Sequence, residues 1–158
     1  MSSALLHSLL DDAGQTSGPD WLKQVRVEAR TRLLERGLPA ARNEAWKYTP
    51  LRALESRRLR RVAAALQPVD VDPALYTLAG VASPRLVFVD GTLRPDLSDV
   101  SSVHGLAIES LGTALERDAQ SLRASLGRSF DADAQVFARL NSALPSDGAV
   151  IRVAAGVK

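Results

Sequence analysis

A glutamate, an indole, an ammonium, a phenol and a hydroxyl crowd into six positions, Glu44-x-Trp46-Lys47-Tyr48-Thr49. Trp46 and Tyr48 are two of the chain's seven aromatic residues, and they sit in a polar stretch bounded by Pro39 and Pro50. Large rings in a polar loop need cover, so this loop is expected to fold back onto a domain or to dock on a partner. Nothing else in the chain reads as a catalytic constellation. The carboxylate pairs Asp11/Asp12, Asp70/Asp72 and Asp131/Asp133 suit helix ends and turns. Only two histidines occur, His7 and His104, so a metal site needs both of them joined by carboxylates. The glycines form neither G-x-x-x-x-G-K nor G-x-G-x-x-G, and no serine lies in G-x-S-x-G. With no cysteine, thiolate-held zinc or iron–sulfur clusters, a cysteine nucleophile and disulfides are excluded within these residues.

The elements that would carry these residues are mostly helical. Leu5, Leu6, Leu9 and Leu10 give an apolar stripe over residues 4–12, with Ser2 or Ser3 as cap. After a turn-rich break from Gly14 to Gly18, a longer helix should open at Pro19 or Asp20 and run to Arg36, where Gly37 and Pro39 stop it. Leu22, Val25, Ala29 and Leu33 recur on one face of it, beside Trp21 and Leu34, and Glu28 can pair with Arg32 outside. Residues 38–49 read as loop, and Thr49-Pro50 as the cap of a brief helix through Glu55. Residues 73–78 suggest one more helical turn.

The clearest strand is Arg85-Leu86-Val87-Phe88-Val89. Asp90-Gly91 suits a type I′ turn, so residues 92–94 should pair back on it. Residues 106–108 offer another short strand. Residues 109–126 and 133–144 read as helices, the second capped by Asp131 or Asp133, with Val136, Phe137, Leu140 and Leu144 on its apolar face. Ser146-Asp147-Gly148 turns into a last strand, Ala149-Val150-Ile151-Arg152-Val153, which needs a neighbour for its backbone groups. The expected class is α+β.

At 158 residues the chain can bury one ordinary core, or form one domain plus a fragment of another. The core should be aliphatic, because the apolar 46% is largely Ala, Leu and Val. The start lacks a basic region and no apolar run nears the ~20 residues of a membrane span, so the chain reads as soluble and cytoplasmic. Net charge is only +2, but unevenly spread. Residues 1–21 hold three Asp and no Lys or Arg, residues 22–61 twelve Lys or Arg against four Glu, and the remainder eight against eleven acids. Such a basic middle steers anionic partners or forms a solvated helical face. Arg57-Arg58-Leu59-Arg60-Arg61 is its densest part, and as a nucleic-acid patch it would grip phosphates without reading bases.

Three stretches together resemble the N-terminal region of the SufB/SufD family of iron–sulfur cluster assembly proteins. They are Gly37-Leu38-Pro39 leading to Glu44-x-Trp46-Lys47-Tyr48-Thr49; Leu86-Val87-Phe88-Val89-Asp90-Gly91; and Phe137-Ala138-Arg139-Leu140-Asn141-Ser142-Ala143 followed by Asp147-Gly148 and Ile151-x-Val153-x-x-Gly156. Missing cysteines and a short N-terminal region favour the SufD branch. The resemblance implies a longer scaffold protein, with an N-terminal helical region and a right-handed β-helix, that works with SufB-like and SufC-like partners. On that reading residues 1–147 form a helical α+β domain and residues 148–158 the opening strand of a truncated β-helix. The segment would be non-catalytic, without cofactor of its own, and would cap the β-helix. Glu44, Trp46, Lys47, Tyr48 and Thr49 are then its interaction candidates, with both rings at least half-buried. The alternatives are a nucleic-acid-binding module using the Arg57-to-Arg61 cluster, and an enzyme with an unrecognised site.

Overall fold

The computed structural model describes residues 4–11, 18–40, 42–59, 72, 75, 77, 79–80, 84–100, 104–129 and 135–157. The expected caps at Ser2, Ser3, Asp131 and Asp133, the break before Gly18, Arg60 and Arg61, and most of residues 73–78 lie outside these. The chain forms two compact units, one of residues 1–61 and 119–145, the other of residues 62–118 and 146–158. Helices dominate the first and small antiparallel sheets the second, an α+β composition.

In the first unit, α1 (Ala4–Asp11) buries Leu5, Leu6 and Leu10. Its neighbour α2 (Asp20–Arg36) begins after Pro19, whose fixed φ of −66° suits the approach and whose carbonyl accepts from the N–H of Leu22 and Lys23. Gly37 ends α2 with φ 70° and returns its N–H to the Leu33 carbonyl at 2.8 Å. Leu22, Ala29 and Leu33 form the buried row; Val25 is only half-buried. Glu28 and Arg32 make no ion pair, against expectation. Exposed i,i+4 pairs are worth so little that solvation outweighs them. The helix α5 (Val136–Ala143) packs on α2, and Leu6, Leu10, Ala29, Leu33, Val136 and Ala143 make one aliphatic core.

Two arginines of α2 reach the ends of neighbouring segments. Arg30 Nη1 donates to the Leu10 carbonyl at 2.5 Å while Arg30 Nη2 lies 3.6 Å from the Asp11 carboxylate. Arg26 Nη2 donates to the Pro145 carbonyl at 3.2 Å. Both carbonyls stand near helix C-termini, where backbone acceptors lack an intrahelical donor and positive charge is favoured.

The second unit opens with the hairpin of β1 (Phe88–Val89) and β2 (Thr92–Leu93). Asp90 and Gly91 have φ of 50° and 77°, the two positive values a type I′ turn requires. Arg94 N–H to the Val87 carbonyl lengthens the ladder, and Arg85 bridges Asp99. A second sheet pairs β3 (Leu106–Ser110) with β4 (Ala149–Val153), Leu106 opposite Val153 and Ser110 opposite Ala149. The next helix, α4 (Leu111–Leu122), starts two residues later than expected because Ser110 ends β3 and caps it, its Oγ accepting from Thr113 N–H at 3.0 Å. It departs from helical geometry at Asp118 (φ −157°), the last residue of the second unit before the chain passes to the first.

Asp147 gathers this unit. Its carboxylate accepts from the backbone N–H of Gly148 at 2.8 Å, Leu93 at 3.1 Å and, more loosely, Gly112 at 3.4 Å. Removing it leaves three donors without their charged acceptor, so Asp147→Ala should cost ~1.5–3 kcal/mol, the range for hydrogen bonds to a charged group. Urea unfolding of the 158-residue chain measures this; a loss under ~0.5 kcal/mol would mean water replaces the carboxylate at no cost.

Candidate functional site

The 37–55 segment is more ordered than a plain loop. Asn43 caps a 3-10 turn, Glu44–Trp46, its side-chain oxygen accepting from the Ala45 N–H at 3.1 Å. Three-residue bonds run on from Trp46 to Asn43, Lys47 to Glu44 and Thr49 to Trp46. The short helix α3 (Arg52–Glu55) then begins after Leu51, with no side-chain cap, so Thr49 does not serve as one. Thr49 is exposed and spends its N–H inside the preceding turn.

The turn separates the two rings. At three residues per revolution, positions two apart point in different directions. Trp46 faces the core, half-buried, its ring 5.3 Å from that of Phe137 and tilted by 50°, a favourable aromatic geometry. Tyr48 is turned out and 87% exposed. The expectation that both rings are covered therefore holds for Trp46 and fails for Tyr48. Lys47 Nζ sits 5.5 Å from the Tyr48 ring centroid and 3.4 Å from the Glu44 carboxylate. Glu44, Lys47, Tyr48 and Thr49 thus form an exposed polar ridge anchored by the half-buried Trp46. Such a ridge can hydrogen-bond and present a ring to a partner.

His7 is exposed on α1 and His104 in a turn of the other unit, and no group of three or more metal-ligating side chains occurs among the described residues. Arg57, Arg58 and Leu59 are exposed, with no regular structure at Arg57 to Leu59. Among the described residues no helix is long and apolar enough to cross a membrane.

One charged cluster escaped the sequence reading. Glu109, on β3, accepts from Arg117 Nη2 at 2.5 Å and from Arg152 Nη1 of β4, on the neighbouring strand. The hydrogen bond from Arg117, then that from Arg152, holds its carboxyl below the usual glutamate range. The cross-strand pairing of Ala107 with Arg152 places that arginine diagonally beside Glu109, a signal visible only once register is known.

Two measurements probe these features. Trp46→Ala should destabilise the chain by ~2–3 kcal/mol, below a fully buried ring because Trp46 is half-covered, whereas Tyr48→Ala should stay within ~0.5 kcal/mol. Chemical denaturation separates them, and equal losses would contradict the geometry. For Glu109, the depressed pKa means its stabilising contribution is complete above about pH 4.5 and fades as pH falls through the lower folded value. The Tm of Glu109→Gln should accordingly fall less steeply below that pH than the parent's; parallel profiles would remove the ion pairs from the stability account.

Comparison with known proteins places these motifs. Residues 11–158 match the family described as SufBD protein N-terminal region. The iron–sulfur cluster assembly protein SufD of Escherichia coli (strain K12) is 31% identical over 150 residues, which is 95% of this chain and 31% of that relative. The chain thus spans about a third of the curated relative it matches. Over nearly its whole length, with the Trp46 turn, the Asp90-Gly91 hairpin and the α5-to-β4 segment all inside the matched residues, this chain belongs to the SufBD N-terminal family, as a SufD-like N-terminal portion.

Proposed function

We propose that the chain is the non-catalytic N-terminal part of a SufD-like scaffold subunit in iron–sulfur cluster assembly, acting in the cytoplasm. The observation that carries this is the 31% identity to SufD across 95% of the chain. In the assembled protein it works beside SufB-like and SufC-like subunits. Clusters are cargo of that assembly, and with no cysteine this segment offers them no thiolate. The Glu44–Thr49 ridge is its interaction candidate. No observation favours the nucleic-acid alternative at Arg57 to Arg61.

The second part of the reading concerns β4. Residues 1–147 are the helical α+β portion and residues 148–158 the first strand of a β-helix, which the preceding residues cap. Its support is the surface of β4 itself. Ile151 and Val153 are 56% and 60% exposed on one sheet face, opposite Ile108 and Leu106. Among the described residues β4 pairs with β3 alone, leaving its other edge open. An open edge beside an apolar face is what additional strands cover.

Two experiments test this. Pull-down of the full-length protein should recover SufB-like and SufC-like subunits, and recovery of neither would sink the scaffold reading. Ile151→Ala should change the 158-residue chain by at most ~1 kcal/mol, the span of strand propensity. In the full-length protein it should cost ~2–5 kcal/mol, as for a buried aliphatic truncation. Equal small losses in both would leave the face uncovered and end the β-helix assignment.

A further inference from the structure

Within the first unit, α2, the turns after α4 and α5 enclose a cleft of about 300 Å³ that the scaffold reading does not use. That volume is at the lower end of small-molecule sites. Its charged lining is lopsided, with Arg32, Arg123, Arg128 and Arg139 against the single carboxylate of Glu28. Arg139 is 3% exposed, a position at which arginine is rare. Arg32, Arg123 and Arg128 have no ion-pair partner among the described residues. Trp21 also lines this cleft, and its indole Nε1 is buried without a hydrogen-bond partner among the described residues. A buried donor left unpaired is costly, so small movements of the ring that bring it an acceptor are favoured.

We propose that this cleft binds a small phosphate-bearing molecule. Guanidinium groups offer paired N–H donors that match phosphate oxygens, and several of them around one small volume suit a compact multivalent anion. Val25, Ala29 and Leu126 give an apolar wall for the rest of the ligand. An acidic peptide fits less well, since its carboxylates are spaced along a backbone while these charges converge on one cleft. The proposal stands on cleft geometry and is independent of the scaffold assignment.

The test uses the ¹⁵N-labelled 158-residue chain at fixed ionic strength, titrated with inorganic phosphate and with pyrophosphate in place of chloride. The Trp21 indole N–H signal should shift saturably with at least one probe, with Kd below ~1 mM, while the Trp46 indole signal stays still. Arg32 and Arg128 are both exposed, so the double variant Arg32→Gln, Arg128→Gln should melt like the parent. It should raise Kd by at least ~10-fold. No saturable Trp21 shift with either probe, or an unchanged Kd in the folded variant, overturns the proposal. So does saturation by hexaglutamate where both phosphate probes fail.

Discussion

The Asp147 carboxylate collects backbone N–H groups from Leu93, Gly112 and Gly148, which come from the hairpin, the first turn of α4 and the approach to β4. Each of these elements is weak alone: β1 and β2 have two residues each and the second sheet only two strands. Two-stranded sheets are marginal in water. A single anion at their meeting point offsets that weakness by charge-assisted bonding rather than by area. It also places negative charge at the N-terminus of α4, where the helix dipole favours it. The sequence shows Asp147 as a turn residue, because Ser146-Asp147-Gly148 has turn composition. Two of its three partners are 35 and 54 positions away, and no local pattern announces them.

The first unit relies on aliphatic packing. Its buried apolar set is Leu, Ala and Val, with Trp46 and Phe137 at the margin. Small aliphatic side chains allow close helix contact but little room for error, so chain ends must be fixed by other means. Arg26 and Arg30 do this from α2, Arg30 holding the Leu10 carbonyl in the last turn of α1 and Arg26 the Pro145 carbonyl just past α5. The same helix therefore supplies the Leu22, Ala29 and Leu33 row and the cations that fasten its neighbours.

Much of the fold was legible where local chemistry and global packing agree. The leucine stripe of α1, the Pro19-to-Gly37 bounds of α2, the Asp90-Gly91 turn and the five residues of β4 follow from spacing and turn residues. The misses share a cause. Thr49 looked like a helix cap, yet three-residue turn bonds use its N–H first. Glu109 looked helical, yet register with β4 makes it the partner of Arg152. At the candidate site Trp46 was legible because an isolated indole demands cover; Tyr48 was not, because its direction depends on a 3-10 geometry that composition does not reveal. The cleft arginines come from α2, α5 and the turns after α4, so their convergence has no sequence signature.

The exposures of Tyr48 and of β4 have different physical meanings. Tyr48 has a local neighbour in the Lys47 ammonium, and a single exposed ring with a polar tip is tolerable in water. Ile151 and Val153 have no such handle: both are β-branched, on one face of one strand, with Leu106 and Ile108 opposite them. Burying that face returns free energy in proportion to area, whereas covering Tyr48 requires a partner that also satisfies its hydroxyl. The stronger thermodynamic demand for a neighbour thus lies on the sheet. On the scaffold reading proposed above, this difference assigns β4 to joining the segment to its own protein and leaves the Glu44–Thr49 ridge as the candidate for meeting another.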